Sequence, residues 1–261
     1  MTEQAPRPSA AVKSADRTVE LLELLANTDR RLTLTELHRE LSYPKSSLYM
    51  LLQTLVARGW VEADPDRTAY GIGVRALLVG TSYLDHDRVV PLAMQVMDTV
   101  RAEVNETVHL ARLDGADVVY LASRESQHQL RVVSRIGRRL PAHTTALGKC
   151  LLAVRSPEEV EALLPAELPE LTSHTQTDRA TLLAQLAEFR RIGYSYEREE
   201  NTPGLGCFAV ALPYRHPVTD AMSCSVPLAR LDDTHEKQIV AALLAAARTL
   251  TDLLRRPGLP R

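Results

Sequence analysis

The chain lacks the features that mark secreted, membrane-spanning or strongly polyionic proteins. Aromatic residues make up only 4% of its 261 residues, and the formal net charge is −2. So small a charge excludes a histone-like or ribosomal polycation, but it is compatible with a local patch that binds nucleic acid. The longest apolar run, residues 239–247, is too short to cross a bilayer, which needs about 20 residues.

Cysteine is also scarce. Cys150, Cys207 and Cys224 are an odd number with no C-x-x-C pair, which favours a reducing compartment and argues against a structural zinc site. Residues 1–11 show no charged segment followed by an apolar one, so nothing there indicates a secretory signal. We therefore expect a cytoplasmic protein that contacts no membrane and needs no metal or other cofactor.

Apolar residues make up 45% of the chain, which is enough for buried cores in about two domains. The first 60 residues have the leucine spacing of three short helices. Ser14 is a candidate cap of the first helix, and Thr33 with Glu36 has the spacing of a capping box for the second. Pro44 suits the start of the third helix, and Gly59 suits its left-handed end.

A β-hairpin is predicted directly after these helices. Residues 60–63 and 69–73 are short extended segments around a turn rich in Asp and Pro. Three helices followed by a hairpin are typical of a winged helix-turn-helix, in which the third helix reads DNA. The pattern alone also fits a three-helix bundle with a polar face.

Polar side chains suited to DNA lie on the predicted third helix, near the face opposite its leucines. They are Lys45, Ser46, Ser47, Tyr49, Met50 and Gln53. Arg67 in the turn of the hairpin and Arg17 in the first helix are further candidates for contacts to phosphate or the minor groove. Each of these two arginines also fits a solvated surface position.

The second half of the chain reads as α+β, with an antiparallel sheet packed against helices. Residues 74–103 are predicted to be helical in two pieces divided near Pro91. Later segments alternate between extended and helical patterns. We expect strands at 107–113, 118–123, 130–134, 194–199, 208–213 and 221–226, and helices at 145–154, 157–164, 178–192 and 233–255.

A carboxylate seat is predicted where the helix at 145–154 begins. Thr144 or Thr145 can cap this helix, so the N–H groups around Ala146 and Leu147 would point, with the positive end of the helix dipole, toward the sheet. Two serines lie two residues apart on a predicted strand and share one side of it. We group with this seat Ser223, Ser225, Cys207 and Glu197. The alternatives are solvated serines, a core cysteine and a surface glutamate.

The cysteines of the chain also allow an enzymatic interpretation. Cys207, Cys150, His143 and His109 supply the residue types of a cysteine-dependent hydrolase, which would be fused to a DNA-binding module. No nucleophile elbow, Walker loop or H-E-x-x-H motif is present, however. We therefore expect no catalytic residue and no metal site.

Several short motifs follow one another along the chain. They are SADR (14–17), LTLTEL (32–37), YPKSSLYMLL (43–52), RGWV (58–61), LPAHTTALGKCLLA (140–153), EE (199–200), GLGCFA (204–209) and SCSV (223–226). In the order and spacing of these motifs the chain resembles the IclR family of bacterial transcription regulators, from about residue 14 to residue 255. One departure is Met50, where the family usually has Arg. It implies either a different base preference or weaker anchoring to phosphate.

The resemblance implies a domain order and a mode of action. We expect a disordered tail at 1–12, a winged helix-turn-helix domain at 13–74, a linker helix at 75–90, and at 91–256 an effector-binding and oligomerisation domain with a GAF-like antiparallel sheet. The positions matching Ala146, Leu147, Glu197, Cys207, Ser223 and Ser225 line the family's effector pocket, and those matching Leu140, Ala142 and Leu205 form its apolar wall.

The function implied is ligand-controlled transcription regulation, more often repression. The expected partners are a double-stranded DNA operator, a small organic-acid effector, and further copies of the chain in a homodimer or a dimer of dimers. A carboxylate at Glu197 would repel an anionic ligand, so the sequence favours an effector with a hydroxyl or amide hydrogen that Glu197 accepts.

Overall fold

A computed structural model describes residues 12–255 and divides the chain into two compact units, Met1–His86 and Asp87–Arg261. Except for Val12, the tail predicted at 1–12 lies outside the described residues. Within the described part, no helix is long and apolar enough to cross a membrane.

The first unit is a winged helix-turn-helix, as the sequence predicts. Its strands form one antiparallel sheet in the order β1-β3-β2, which is the wing. The elements are α1 (Lys13–Ala26), β1 (Leu32–Thr33), α2 (Leu34–Leu41), α3 (Lys45–Ala57), β2 (Val61–Ala63), β3 (Ala69–Ile72) and α4 (Val74–Asp85). Strand β1 was not predicted, because two residues are too few to show the alternation that marks a strand.

Most of the start and stop signals are confirmed. The Thr33 hydroxyl accepts the N–H of Glu36, and the Glu36 carboxylate accepts the N–H of Thr33 in return, 2.8 Å away. Gly59 has a φ of +72°, which ends α3 in the left-handed conformation. The prediction for Ser14 is wrong. Helix α1 already begins at Lys13, so Ser14 lies inside the first turn.

Leucines from the three helices form the core of this unit, and the wing closes it. The side chains buried there are Leu21, Leu25, Leu32, Leu37, Leu48, Leu52, Leu55, Val61 and Tyr70. The leucine spacing read from the sequence therefore marks the inward faces of the helices, and it leaves the opposite face of α3 outside the core.

The second unit has a six-stranded antiparallel sheet in the order β6-β5-β4-β9-β8-β7. Helices α5 and α9 pack on each other and on this sheet, while α6 packs on the sheet beside α8. The elements are α5 (Val89–Val104), β4 (Thr107–Asp114), β5 (Asp117–Arg124), β6 (Arg139–Pro141), α6 (Ala146–Ala153), α7 (Pro157–Leu163), α8 (Arg179–Ile192), β7 (Ser195–Arg198), β8 (Leu205–Ala211), β9 (Asp220–Pro227) and α9 (Asp233–Arg255).

Two secondary-structure predictions are wrong in this part of the chain. Residues 130–134 form no strand, because the edge of β5 is taken by β6, where Val118 pairs with Leu140. The break between α4 and α5 lies at 86–88 and not at Pro91. There the Asp87 carboxylate accepts the N–H of Val89, 2.8 Å away, and caps α5. Pro91 sits in the first turn of α5, where its missing N–H does no harm.

Helix α6 is buried along its whole length, and a glycine makes this possible. All eight of its residues are buried. Gly148 faces the 3₁₀ turn Ala142–Thr144 so closely that an added Cβ would lie 2.1 Å from the carbonyl oxygen of Ala142. Because that neighbour is backbone and cannot turn aside, only glycine fits here. The contact fixes where α6 begins.

We predict that Gly148→Ala destabilises the protein. The added methyl group would force α6 away from the turn, and overpacking of this kind lowers the free energy of unfolding by about 1–3 kcal/mol. Gly80→Ala is the matched control. Gly80 is also helical, with nothing within 4 Å of an added Cβ, so this change should raise stability by about 0.5–1 kcal/mol. Urea unfolding of both variants measures the difference, and equal stabilities would contradict the packing described.

Candidate nucleic-acid interface and ligand cavity

The outer face of α3 carries four of the predicted DNA-contacting residues. Ser46, Tyr49, Met50 and Gln53 follow the spacing i, i+3, i+4, i+7, so their side chains lie on one face of the helix. Tyr49 is 48% exposed and Met50 66%. This face is opposite the buried leucines, and it offers hydroxyl, amide and thioether groups to a ligand.

The other predicted contacts flank the start of α3. The Lys45 ammonium is exposed and donates to the Thr35 hydroxyl, 3.1 Å away, at the start of α2. Arg17 of α1 donates to the Ser47 hydroxyl, 3.3 Å away, and its guanidinium stacks 4.6 Å above the ring of Tyr43. Arg17 and Ser47 therefore also have a structural role, since they join α1 to the start of α3.

Arg67 lies at the turn of the wing with an exposed side chain. Its φ of +55° belongs to a tight turn, in which the Asp64 carboxylate accepts the N–H groups of Thr68 and Ala69. The turn projects Arg67 away from the core of the unit, as a contact to a nucleic-acid backbone requires.

The second unit encloses a cavity between the start of α6 and the sheet. The space between its atoms, open mouth included, is about 430 Å³, of which about 30 Å³ can hold the centre of a water-sized sphere. Seven of the nine predicted effector-binding residues line it, namely Ala146, Leu147, Glu197, Leu205, Cys207, Ser223 and Ser225. The sequence segments that supply them are far apart, and the folded sheet brings them together.

Strand pairing arranges the polar side chains as a row across the sheet. His109 of β4 is paired with Ser223 of β9, and its ring lies 5.2 Å from that of Tyr120 on β5. On the other side, Ser225 is paired with Cys207 of β8, whose sulfur lies 3.2 Å from the serine oxygen. The row ends at Glu197 on β7, the partner of Cys207.

The start of α6 faces this row. The Thr145 hydroxyl caps the helix by accepting the N–H of Gly148, 2.9 Å away, which confirms one of the two caps considered. Within residues 12–255, no acceptor bonds the N–H groups of Ala146 or Leu147, although both residues are buried. Two free amides and the helix dipole therefore point into an enclosed space, and this combination favours an anion.

Two predicted wall residues do not line the cavity. Leu140 is part of β6 and packs into the apolar cluster under the sheet, and Ala142 is fully buried against Gly148. The cavity is also lined by residues that the sequence did not predict as effector-binding. These are His109, Tyr120, Val132, Ser134, Arg138, Thr145, Asn201 and Thr202. His109 could have been predicted as a cavity residue only from the pairing register of β4 with β9, because no feature of the sequence around it indicates a ligand site.

Burial changes the protonation of the polar row. It lowers the pKa of His109 to about 4, with a smaller effect from the nearby Arg138, so the imidazole is neutral near pH 7. Burial also raises the pKa of the Cys207 thiol well above its usual value, and the nearby Glu197 adds to this shift. The pKa of Glu197 itself is raised to about 7, chiefly by burial and further by Glu200.

This electrostatic setting opposes the hydrolase reading. A cysteine nucleophile acts as a thiolate and needs a base beside it. Cys207 is held as a thiol, and its hydrogen-bond partners among the described residues are Ser225 and Glu197 rather than a histidine. His143 bonds the carbonyl of Pro169, outside the cavity, and Cys150 bonds the carbonyl of Leu147.

Comparison with known families identifies both units. A model of the IclR helix-turn-helix domain matches residues 14–65, and one of the C-terminal domain of the bacterial transcriptional regulator IclR matches residues 81–252. The chain belongs to the IclR family. It is therefore a DNA-binding transcription regulator, which confirms the regulator reading over the hydrolase.

Curated relatives of the IclR family align with nearly the whole chain. The HTH-type transcriptional regulator KdgR of Dickeya chrysanthemi is 35% identical, over 93% of this chain and 80% of that protein. The transcriptional repressor IclR of Escherichia coli is 31% identical, over 92% of this chain and 89% of its own length. Both names denote regulators, and the second denotes a repressor.

Solved IclR-family structures share the fold. An IclR regulator from Alicyclobacillus acidocaldarius superposes with a TM-score of 0.83 at 25% identity, covering 95% of this chain and all of that one. An IclR homologue from Microbacterium hydrocarbonoxydans, solved in complex with 4-hydroxybenzoate, gives a TM-score of 0.74 at 25% identity. That alignment covers 92% of this chain and 99% of the homologue.

We predict that Lys45 and Gln53 on α3 make two different kinds of DNA contact, one with the phosphate backbone and one with a base. Lys45→Ala should weaken binding by a similar factor on all sequences and reduce the slope of log affinity against log salt by about 1. Gln53→Ala should cost about 1–3 kcal/mol at one base pair only. Fluorescence anisotropy on operators found by genome-wide mapping measures both effects.

A charge-matched control is Arg30→Ala, since Arg30 is paired with Glu36 at 2.7 Å on the surface of the same unit. It should bind DNA like the wild type. If Lys45→Ala and Gln53→Ala are indistinguishable from Arg30→Ala, the α3 face is not the DNA-reading surface.

Proposed function

We propose that this regulator is a repressor that leaves its operator when a small organic acid binds in the cavity of the second unit. The observation that carries the proposal is the enclosed cavity itself, in which the free N–H groups of Ala146 and Leu147 face a row of hydroxyl, thiol and imidazole groups. Such a space suits a ligand that is anionic at one end and hydrogen-bonding along its length.

The carboxylate of the effector would occupy the start of α6. The two amides donate to its oxygens, and the helix dipole stabilises its charge by about 0.3–1 kcal/mol, or more in a buried site. Ser223 lies on the facing strand and can donate a further hydrogen bond. Side-chain hydroxyls in the row then distinguish a hydroxylated acid from a plain fatty acid, because an alkyl chain would leave them unpaired.

A family relative supports the class of ligand. The Microbacterium hydrocarbonoxydans homologue was solved with 4-hydroxybenzoate, an acid that also carries a hydroxyl group. We infer the same class, a small hydroxylated carboxylic acid, for this chain.

Weak charge on the DNA-binding unit implies that more than one copy binds the operator. Residues 1–80 carry ten Lys and Arg against ten Asp and Glu. One such unit makes few phosphate contacts, and two units joined in a homodimer, or four in a dimer of dimers, multiply them. A symmetric dimer also matches an operator with two half-sites.

Helix α4 offers a surface for the homodimer. It buries no residue within the chain, and Val74, Leu77 and Leu78 are each more than half exposed on one face. An apolar stripe of this kind is stabilised when a second copy covers it. Because α4 directly follows the wing, a change in its pairing alters the separation of two DNA-binding units, and effector binding can act on operator affinity in this way.

We predict that Ser223→Ala and Cys207→Ala each weaken effector binding. Both remove a polar group from the cavity wall, so stabilisation by the effector, about 2.7 kcal/mol at one hundred times its dissociation constant, should need a higher concentration. Thermal unfolding with a panel of hydroxylated acids that includes 4-hydroxybenzoate is the measurement.

Cys224→Ala is the matched control for this panel. Cys224 lies on β9 between Ser223 and Ser225, but its side chain is on the opposite face of the sheet and fully buried. An acid that stabilises wild type and all three variants at equal concentrations would show that the effector binds elsewhere.

We also predict that Leu77→Glu combined with Leu78→Glu converts the protein to monomers and abolishes operator binding. The charges would be buried and unpaired in the dimer, while in the monomer both positions face solvent, so the fold is kept. Sedimentation velocity, circular dichroism and anisotropy measure the three properties. A folded dimer that still binds the operator would rule out the α4 interface.

A further inference from the structure

Glu197 differs from the other acidic residues of the cavity region because no cation is paired with it. The ammonium of Lys149 on α6 is fully buried, but it is bonded to the carboxylate of Glu200 and to the amide of Gln185 on α8. Lys149 is thereby paired with Glu200, and its charge lowers the pKa of Glu197 by less than burial raises it. Within residues 12–255 no ion pair reaches Glu197, whose side chain is only 2% exposed.

The neighbours of Glu197 donate hydrogen bonds that favour its ionised form, but together they lower its pKa by less than burial raises it. One oxygen accepts the N–H of Glu200, 2.8 Å away. The thiol of Cys207 faces it from β8 and remains protonated. Across the cavity lie the neutral His109 on β4 and the neutral Tyr120 on β5. Arg138 lies on the β5 side, and three strands separate β5 from β7 in the sheet.

An anion at the start of α6 would add a second negative charge to this enclosed space. Ionised Glu197 and an ionised ligand would repel each other in a medium of low dielectric, where such repulsion is strong. Protonated Glu197 instead offers an O–H donor to the ligand. The sequence predicts that Glu197 is a hydrogen-bond acceptor, and the repulsion from a bound anion favours a protonated donor instead.

We propose that Glu197 binds the effector as a neutral carboxylic acid, so that wherever Glu197 is ionised in the free protein, binding of an anionic effector is accompanied by uptake of one proton from solvent onto the Glu197 carboxyl group. This inference rests on the proposed function, because it presumes that the ligand is an anion seated at the start of α6. The regulator then responds to pH as well as to effector concentration.

The direction of the pH dependence follows from proton linkage. The pKa of Glu197 in the free protein is raised to about 7 by burial, and a bound anion raises it further. Below pH 6 the carboxyl group is already protonated, so effector affinity is constant there. Above pH 7 binding requires proton uptake, and affinity falls by up to tenfold per pH unit. His109 is neutral throughout this range, because its pKa is lowered to about 4.

Acetate is a suitable probe, since it carries one carboxylate that is ionised throughout pH 6–8. Amide resonances of Ala146 and Leu147 in the full-length, ¹⁵N-labelled protein report its binding at the start of α6. In wild type we expect acetate to bind about tenfold more weakly at pH 8 than at pH 6. In Glu197→Gln, which keeps a neutral donor of similar shape, we expect equal affinity at both pH values. Glu199→Gln is the control, two positions along the chain and outside the cavity lining, and should behave like wild type.

The possible results distinguish a failure of this inference from a failure of the proposed function. If both amides respond to acetate but wild-type affinity is independent of pH, or if the slope persists in Glu197→Gln, the proton-coupled role is wrong and the carboxylate seat stands. If neither amide responds to acetate at any pH, the carboxylate seat fails, and the role of Glu197 fails with it.

Discussion

A buried ammonium group is the constraint on which the ligand-binding unit depends. Lys149 has no contact with solvent, and a charge in that position is tolerated only beside an opposite charge with good hydrogen bonds. Glu200 must therefore stay at α6, and its own N–H then holds the carboxyl group of Glu197. The ion pair does little for stability compared with apolar packing. The ion pair instead fixes the end of β7 against α6. Because β7 and α6 form two sides of the cavity, it also fixes those two sides relative to each other.

The cavity follows from two backbone features that meet at this point. Gly148 lets α6 approach the turn before it, so that the first N–H groups of the helix have no partner in the protein and face the sheet. The antiparallel register then lays polar side chains from five strands opposite those groups. An IclR-family regulator needs a ligand to prefer one conformation, and a site composed of several elements can supply that preference, because ligand contacts tie these elements together.

The sequence predicted the parts of this protein that depend on local chemistry. The capping box at Thr33 and Glu36, the left-handed Gly59 and the leucine faces of the helices are all recognisable from spacing. The structure also gathers seven of the nine predicted effector residues around one cavity. What sequence reasoning missed depends on contacts between distant segments. His109 and Tyr120 join the site through strand register, and Leu140 and Ala142 lie outside it because they pack on the core. The raised pKa of Glu197 results chiefly from its burial in the folded domain.

The central claim is that a carboxylic acid in this cavity controls DNA binding by the other unit. Its most direct test is the operator dissociation constant of full-length protein, measured with and without the acids that the products of the genes beside the mapped operator make or consume. We expect one acid to weaken operator binding by about 5–150-fold, the usual range for coupled sites, and Ser223→Ala to need a higher concentration of that acid for the same effect. An acid that changes operator affinity equally in wild type and Ser223→Ala would contradict the account, as would the absence of any effect on operator binding.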